Sequence, residues 1–155
     1  MGSFSAMAET AVSEDSLGET IYIPAYSHIF TQPDARQPLA STVAIHNVDP
    51  TRSITLQSVD YHGQGGVKIK GFLEEPMVLA PYETASFLTS TSTSTSTSIS
   101  DNEGGIGANY IVVWEAQEPS KSPVSQAVMI GGTGTQGISF VTEGRVIDRT
   151  LVPTE

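Results

Sequence analysis

The chain contains no cysteine. Disulfides, thiolate zinc sites, iron–sulfur clusters and cysteine nucleophiles are therefore excluded. The compartment stays open, because a domain of this size folds without bridges. Charge is also scarce: charged residues are 15% of 155, against a usual share of about 25%. Ser, Thr, Gln and Asn must then cover much of the surface. Basic residues are the scarcest, 7 Lys and Arg against 17 Asp and Glu, for a formal net charge of −10. That balance argues against nucleic acid, whose phosphates need a basic footprint. It argues equally against anionic membrane surfaces. The Lys68–Lys70 pair is too small to reverse it. No apolar run approaches the ~20 residues of a transmembrane helix. The opening MGSFSAMAETAVSEDSLGET lacks the basic and then apolar character of a signal peptide, and residues 1–18 read as a flexible polar tail.

Helical signals are few. SAMAETAVSED, residues 5–15, is the best candidate, and isolated helices of that length are marginal. Elsewhere β-branched and aromatic residues recur between turn signals at strand-like intervals. ETIYIP (19–24) and AYSHIF (25–30) read as extended, TQPDARQP (31–38) as a loop. LASTVAIHNV (39–48) alternates, with Val43 and Ile45 on one face and Thr42, Ala44 and His46 on the other. SITLQSVDYH (53–62) changes phase midway, from even Ile54 and Leu56 to odd Val59 and Tyr61. A slip of that kind predicts a β-bulge. ANYIVVWEA (108–116) is apolar on both faces and reads as a central strand, followed by a loop at 117–123. The pattern predicts an all-β domain over 19–155: an antiparallel β-sandwich, loosely immunoglobulin-like, of about eight to ten strands.

LTSTSTSTSTSIS, residues 88–100, is the most unusual stretch. Phe87, the threonines from 89 to 97 and Ile99 share odd parity, so a continuing strand places Thr89, Thr91, Thr93, Thr95 and Thr97 on one face. Three readings compete: a low-complexity inserted loop at 89–98, an edge strand that pairs with a second subunit through those threonines, and a Thr face that orders water. A repeat of two residues also controls register poorly.

Few constellations carry chemistry. His28, His46 and His62 are the histidines, and Asp60 lies two before His62. On a strand Asp60 and His62 point the same way, a spacing that suits a divalent metal with His28 as a third ligand. Ser27, His28 and Asp60 can be assembled into a hydrolase triad on paper, but no G-x-S-x-G elbow is present. The glycine stretches EGGIGAN and IGGTGTQG lack the Lys and helix of a phosphate loop and read as turns.

IYIPAYSHIF, STVAIHNVDP, SVDYH, GGIGANYIVVWEA, QAVMIGG and QGISFVTEGRVI follow in order. Over Thr20–Ile147 the chain resembles an uncharacterised bacterial family of small secreted or lipid-anchored β-domains of unknown function. The resemblance implies no activity. It implies recurring polar residues at Tyr26, Ser27, His28, Asn47, Asp49, Asp60, Tyr61, Asn109 and Trp114. Asn47, Asp49 and Asn109 are equally suited to capping turns.

The combined expectation is a non-catalytic binding or assembly module of unknown ligand, not an enzyme, that self-associates or meets a protein partner through strand edges. Its expected place is periplasmic or secreted with the native leader absent here, or alternatively cytoplasmic. The other function class is a periplasmic metal- or small-ligand-binding protein using His28, His62 and Asp60. No cofactor is required beyond that divalent metal. Tyr26, Ser27, His28, Asn47, Asp60, Tyr61 and Asn109 are the candidate ligand-binding residues.

Overall fold

The computed structural model describes residues 15–89, 104–132 and 137–150. The helical candidate at 5–15 falls almost wholly outside them. Among the described residues eleven strands follow in chain order: β1 (Ser16–Pro24), β2 (His28–Gln32), β3 (Ala35–His46), β4 (Ile54–His62), β5 (Lys68–Gly71), β6 (Met77–Leu79), β7 (Thr84–Thr89), β8 (Asn109–Ser120), β9 (Val124–Gly131), β10 (Ile138–Glu143) and β11 (Arg145–Thr150). All pair antiparallel, in two sheets that pack as a sandwich. The first runs β11-β1-β8-β4-β5, with β6 also on β4; the second runs β10-β9-β3-β2, with β7 also on β3. Each sheet thus ends on one side in two short strands laid end to end against a long one.

The core follows from alternation. Ile21 and Ile23 of β1, Val43 and Ile45 of β3, and Tyr110, Val112 and Trp114 of β8 are all buried. Each such side chain removed from water contributes about 1.5–3 kcal/mol before entropy is counted. β8 is central, flanked by β1 and β4. The phase slip in β4 is real: Ile54, Leu56, Val59 and Tyr61 are all buried, and the register to β8 shifts between Leu56 and Ser58. The bulge lets apolar residues of opposite parity face one core.

Several boundaries differ from the sequence reading. β1 begins at Ser16, inside the expected tail. Residues 35–38, read as loop, open β3, where Pro38 pairs with His28. Proline is tolerated there because β9 first reaches β3 at Leu39. β8 continues to Ser120 through the expected loop at 117–123.

One polar row crosses the first sheet. Leu56 opposes Trp114, Trp114 opposes Glu19, and Glu19 opposes Arg149. Glu19 has the inward parity of Ile21, and its side chain is 0% exposed. Trp114 Nε1 donates to Glu19 Oε1 at 3.2 Å. Arg149 Nε and Nη2 donate to Oε2 at 3.2 and 3.0 Å. One carboxylate thus ties β1, β8 and β11 together. Glu19→Ala strands both donors, so a loss of about 3 kcal/mol is expected. The check is the urea midpoint, which should fall with the unfolding slope unchanged.

Candidate functional site

The bend from β1 to β2 holds Tyr26, Ser27 and His28. Tyr26 meets Phe140 edge-on at 5.7 Å between ring centroids. Ser27 Oγ accepts from the Gly105 amide at 2.7 Å and donates to the Gly105 carbonyl at 3.1 Å. Its backbone adds two more bonds, from Ser27 N to Gly105 O at 3.2 Å and from Leu39 N to Ser27 O at 2.9 Å. The residue clasps the bend to β3 and to the 104–107 loop. The hydroxyl proton goes to Gly105, and His28 Nδ1 lies 3.4 Å away. His28 also meets Arg36 Nη2 at 3.2 Å through Nδ1, with Phe30 edge-on at 5.5 Å. The clasp requires glycine: a Cβ at Gly104 would lie 2.6 Å from Tyr61 Oη and 2.8 Å from Ser27 Cβ.

The metal triad is not gathered. Asp60 and His62 share a face of β4, as alternation requires, but His28 belongs to the other sheet. Asp60 pairs with Lys68 at 3.3 Å. His62 Nδ1 is buried without a hydrogen-bond partner. Among the described residues, no group of three His, Asp or Glu side chains is placed to hold a metal ion.

Asn47 and Asp49 form a staple between loops. Asn47 Nδ2 donates to the carbonyls of Arg52, Leu79 and Ala80 at 2.9, 3.1 and 3.0 Å. Asp49 Oδ1 accepts the amides of Thr51 and Arg52, each at 2.9 Å, and Oδ2 accepts that of Lys121 at 3.1 Å. Three connections, β3–β4, β6–β7 and β8–β9, meet on two side chains. Asn109 Nδ2 caps its own turn through Gly107 O at 3.1 Å. These polar residues spend their hydrogen bonds on backbone.

Tyr61 and Tyr110 are buried side by side, 5.3 Å between centroids. Burial, and then the neighbouring Tyr110, push the Tyr61 phenol well above its usual range. Burial also raises Tyr110, partly offset by Ser41 and Thr89. Tyr110 Oη donates to Thr89 Oγ1 at 2.7 Å. Thr89 therefore shares the face of Phe87 as its parity predicts, but that face is the interior. As an interface residue it is corrected: its hydroxyl is consumed by Tyr110. Thr91, Thr93, Thr95 and Thr97 lie outside the described residues.

Two features escaped the sequence reading. The first is an open cleft of about 530 Å³ beside Arg52, Thr55, Val78 and Gln117. It exists because β8 bows away between Glu115, which opposes Gly18, and Ser120, which opposes Ser16. Arg52 pins the excursion, donating to the Pro119 carbonyl and lying 3.7 Å from Glu118. Pro119 within a charged stretch was the signal, and it read as a loop.

The second feature is the outer face of the second sheet. Leu39, Val43 and Ile45 point into the core, so even positions of β3 point out. Leu88, Thr42, Val128 and Val141 then form one row across four strands, and Ala40, Ile130 and Ser139 another. Leu88, Ile130 and Val141 are 61%, 59% and 52% exposed. Along the strands of this face the one acidic residue is Glu143, bonded to Gln126 at 2.9 Å. The first sheet's outer face carries Asp60, Glu115 and Asp148.

Comparison with known proteins adds three findings. The family model of DUF3124, described as a protein of unknown function, matches residues 18–147. The crystal structure of Thermotoga maritima 1070 is similar at 9% identity, covering 85% of this chain and 97% of that one with a TM-score of 0.46. No curated protein matches.

The staple generates a pH prediction. Desolvation raises the Asp49 carboxyl, but amide bonds from Thr51, Lys121 and Arg52 outweigh it and hold it below the ordinary value. The native state then releases this proton more readily than the unfolded chain. Its contribution is complete above the unfolded value of about 4 and fades as pH falls through the lower folded value. Asp49→Asn should lower the urea midpoint near neutrality and flatten its decline toward about pH 3 relative to the parent.

Proposed function

We propose that this chain, which belongs to the DUF3124 family of proteins of unknown function, is a non-catalytic binding or assembly module that works outside the cytoplasm. It acts by presenting a rigid sheet surface to a partner, and no bond is made or broken. The observation that supports this most is the apolar outer face of the second sheet. A face with Leu88, Ile130 and Val141 exposed in adjoining rows departs from the scattered apolar residues of an ordinary surface. Its counterpart on the first sheet mixes exposed Val78 with Asp60, Glu115 and Asp148. Burying large apolar side chains against a partner provides the driving force, and alternation on four strands keeps the surface flat.

The low proportion of charge and the Ser/Thr-rich composition support an extracytoplasmic setting. Among the described residues, no helix is long and apolar enough to cross a membrane.

A photo-crosslinking amino acid at Val141, expressed in the native host, should give a discrete adduct. The same group at Gln57, on the first sheet's outer face, should not. Absence of an adduct at Val141, or equal smearing from both positions, would sink the recognition reading. Fractionation of the same cells tests the compartment, with the adduct expected outside the cytoplasm.

A further inference from the structure

We infer that the partner of this face is a second copy of the same chain, docked face to face about a two-fold axis that passes near Ile130. The inference rests on the recognition reading above and goes further by naming the partner and its register.

Electrostatics selects both. Each copy carries a net charge of −10, so two copies repel over most of their surfaces. They can approach only where acids are few. The strands of the second sheet's outer face carry one acid, Glu143, and one guanidinium, Arg36, both exposed. Arg36 lies at the start of β3. Glu143 opposes Gln126, which opposes Ala44, so it lies two strands over and eight residues along. With strands ~4.8 Å apart and a rise of ~3.3 Å per residue, the two sit roughly 10 Å apart across the sheet and 26 Å along it. The midpoint is one strand over and four residues on, which is Ile130, the cross-strand partner of Ala40. A two-fold lying in the interface plane over that point, perpendicular to the line from Arg36 to Glu143, lays Arg36 of each copy against Glu143 of the other. It also brings the two Ile130 side chains together over the apolar rows.

An isologous contact must complement itself in this manner. Along these strands the register joins opposite charges twice and like charges nowhere; the nearest other acid is Asp34, in the turn before β3. The size of the face sets the strength. Four strands by about nine residues give roughly 550 Å² per copy, or about 1,100 Å² in all, at the lower limit for specific complexes. The dimer is therefore expected to be weak and concentration-dependent.

The absence of cysteine makes the test clean. Ile130→Cys and Gln57→Cys are each oxidised mildly as purified protein, the second reporting random collision. The disulfide dimer should form at least about tenfold faster through position 130. Light scattering then follows a charge swap. Arg36→Glu and Glu143→Arg should each shift the mass toward monomer, and the double variant should return it toward dimer. Equal oxidation rates, or a double variant no better than the singles, would overturn the second copy as partner. An adduct of non-self mass at Val141 in cells, with no preference at position 130, would overturn this inference while leaving the recognition reading standing. Loss of the cellular adduct altogether would remove both.

Discussion

Everything in this sandwich depends on the inward face of β8. Tyr110, Val112 and Trp114 are each wholly buried, on a strand flanked on both sides by neighbours. Two of the three bring a polar group into the core, and burial without a partner is costly. The fold supplies those partners from both sheets. Tyr110 reaches across the sandwich to Ser41 and Thr89, and Trp114 reaches along its own sheet to Glu19. The bulge in β4, the inward Glu19 and the buried Thr89 are all adjustments around this one strand.

The same economy explains the polar residues that resemblance singled out. Ser27, Asn47 and Asp49 bond to backbone amides and carbonyls of segments distant in sequence, and Asn109 bonds to the backbone of its own turn. Short polar side chains are suited to this because they lose little entropy and stand in for a missing strand partner. A residue can thus be chemically specific and still serve the fold alone. The surface best suited to meet another molecule carries instead Leu, Ile and Val on a flat face.

Much of the fold was legible because alternation is a local property. Val43 and Ile45, the β4 phase slip and the two-sided β8 could each be read from neighbours in the chain. The parity of Thr89 was equally readable; which side counted as inside was not, since that depends on Tyr110. Glu19 shows the limit most plainly. Its parity with Ile21 and Ile23 places it in the core, yet a lone acid there looks like an error until Arg149, 130 residues away, is considered. The prolines misled in the opposite direction. Pro38 and Pro119 sit within strands because their missing N–H groups fall where the neighbouring ladder has ended or bowed away. The candidate sites were less legible, since a polar residue at a turn gives its hydrogen-bonding capacity but not the identity of the group it will bond. The apolar outer face needed strand order, which no single strand encodes.

The position of β1 has a consequence for how the chain acquires its structure. Among the described strands it is made first, yet it lies between β8 and β11, the latter the last strand described. Until those segments emerge, Ile21 and Ile23 have no sheet to join, and Glu19 has neither of its donors. The second sheet is less constrained, since β2–β3 and β9–β10 are hairpins between sequence neighbours. Long-range pairing is slow because loop closure precedes any contact that rewards it. Assembly is thus expected to start in the second sheet and to finish with β1 meeting β11. In that order the pairing of β1 with β11 comes late, and the Glu19–Arg149 pair forms with it.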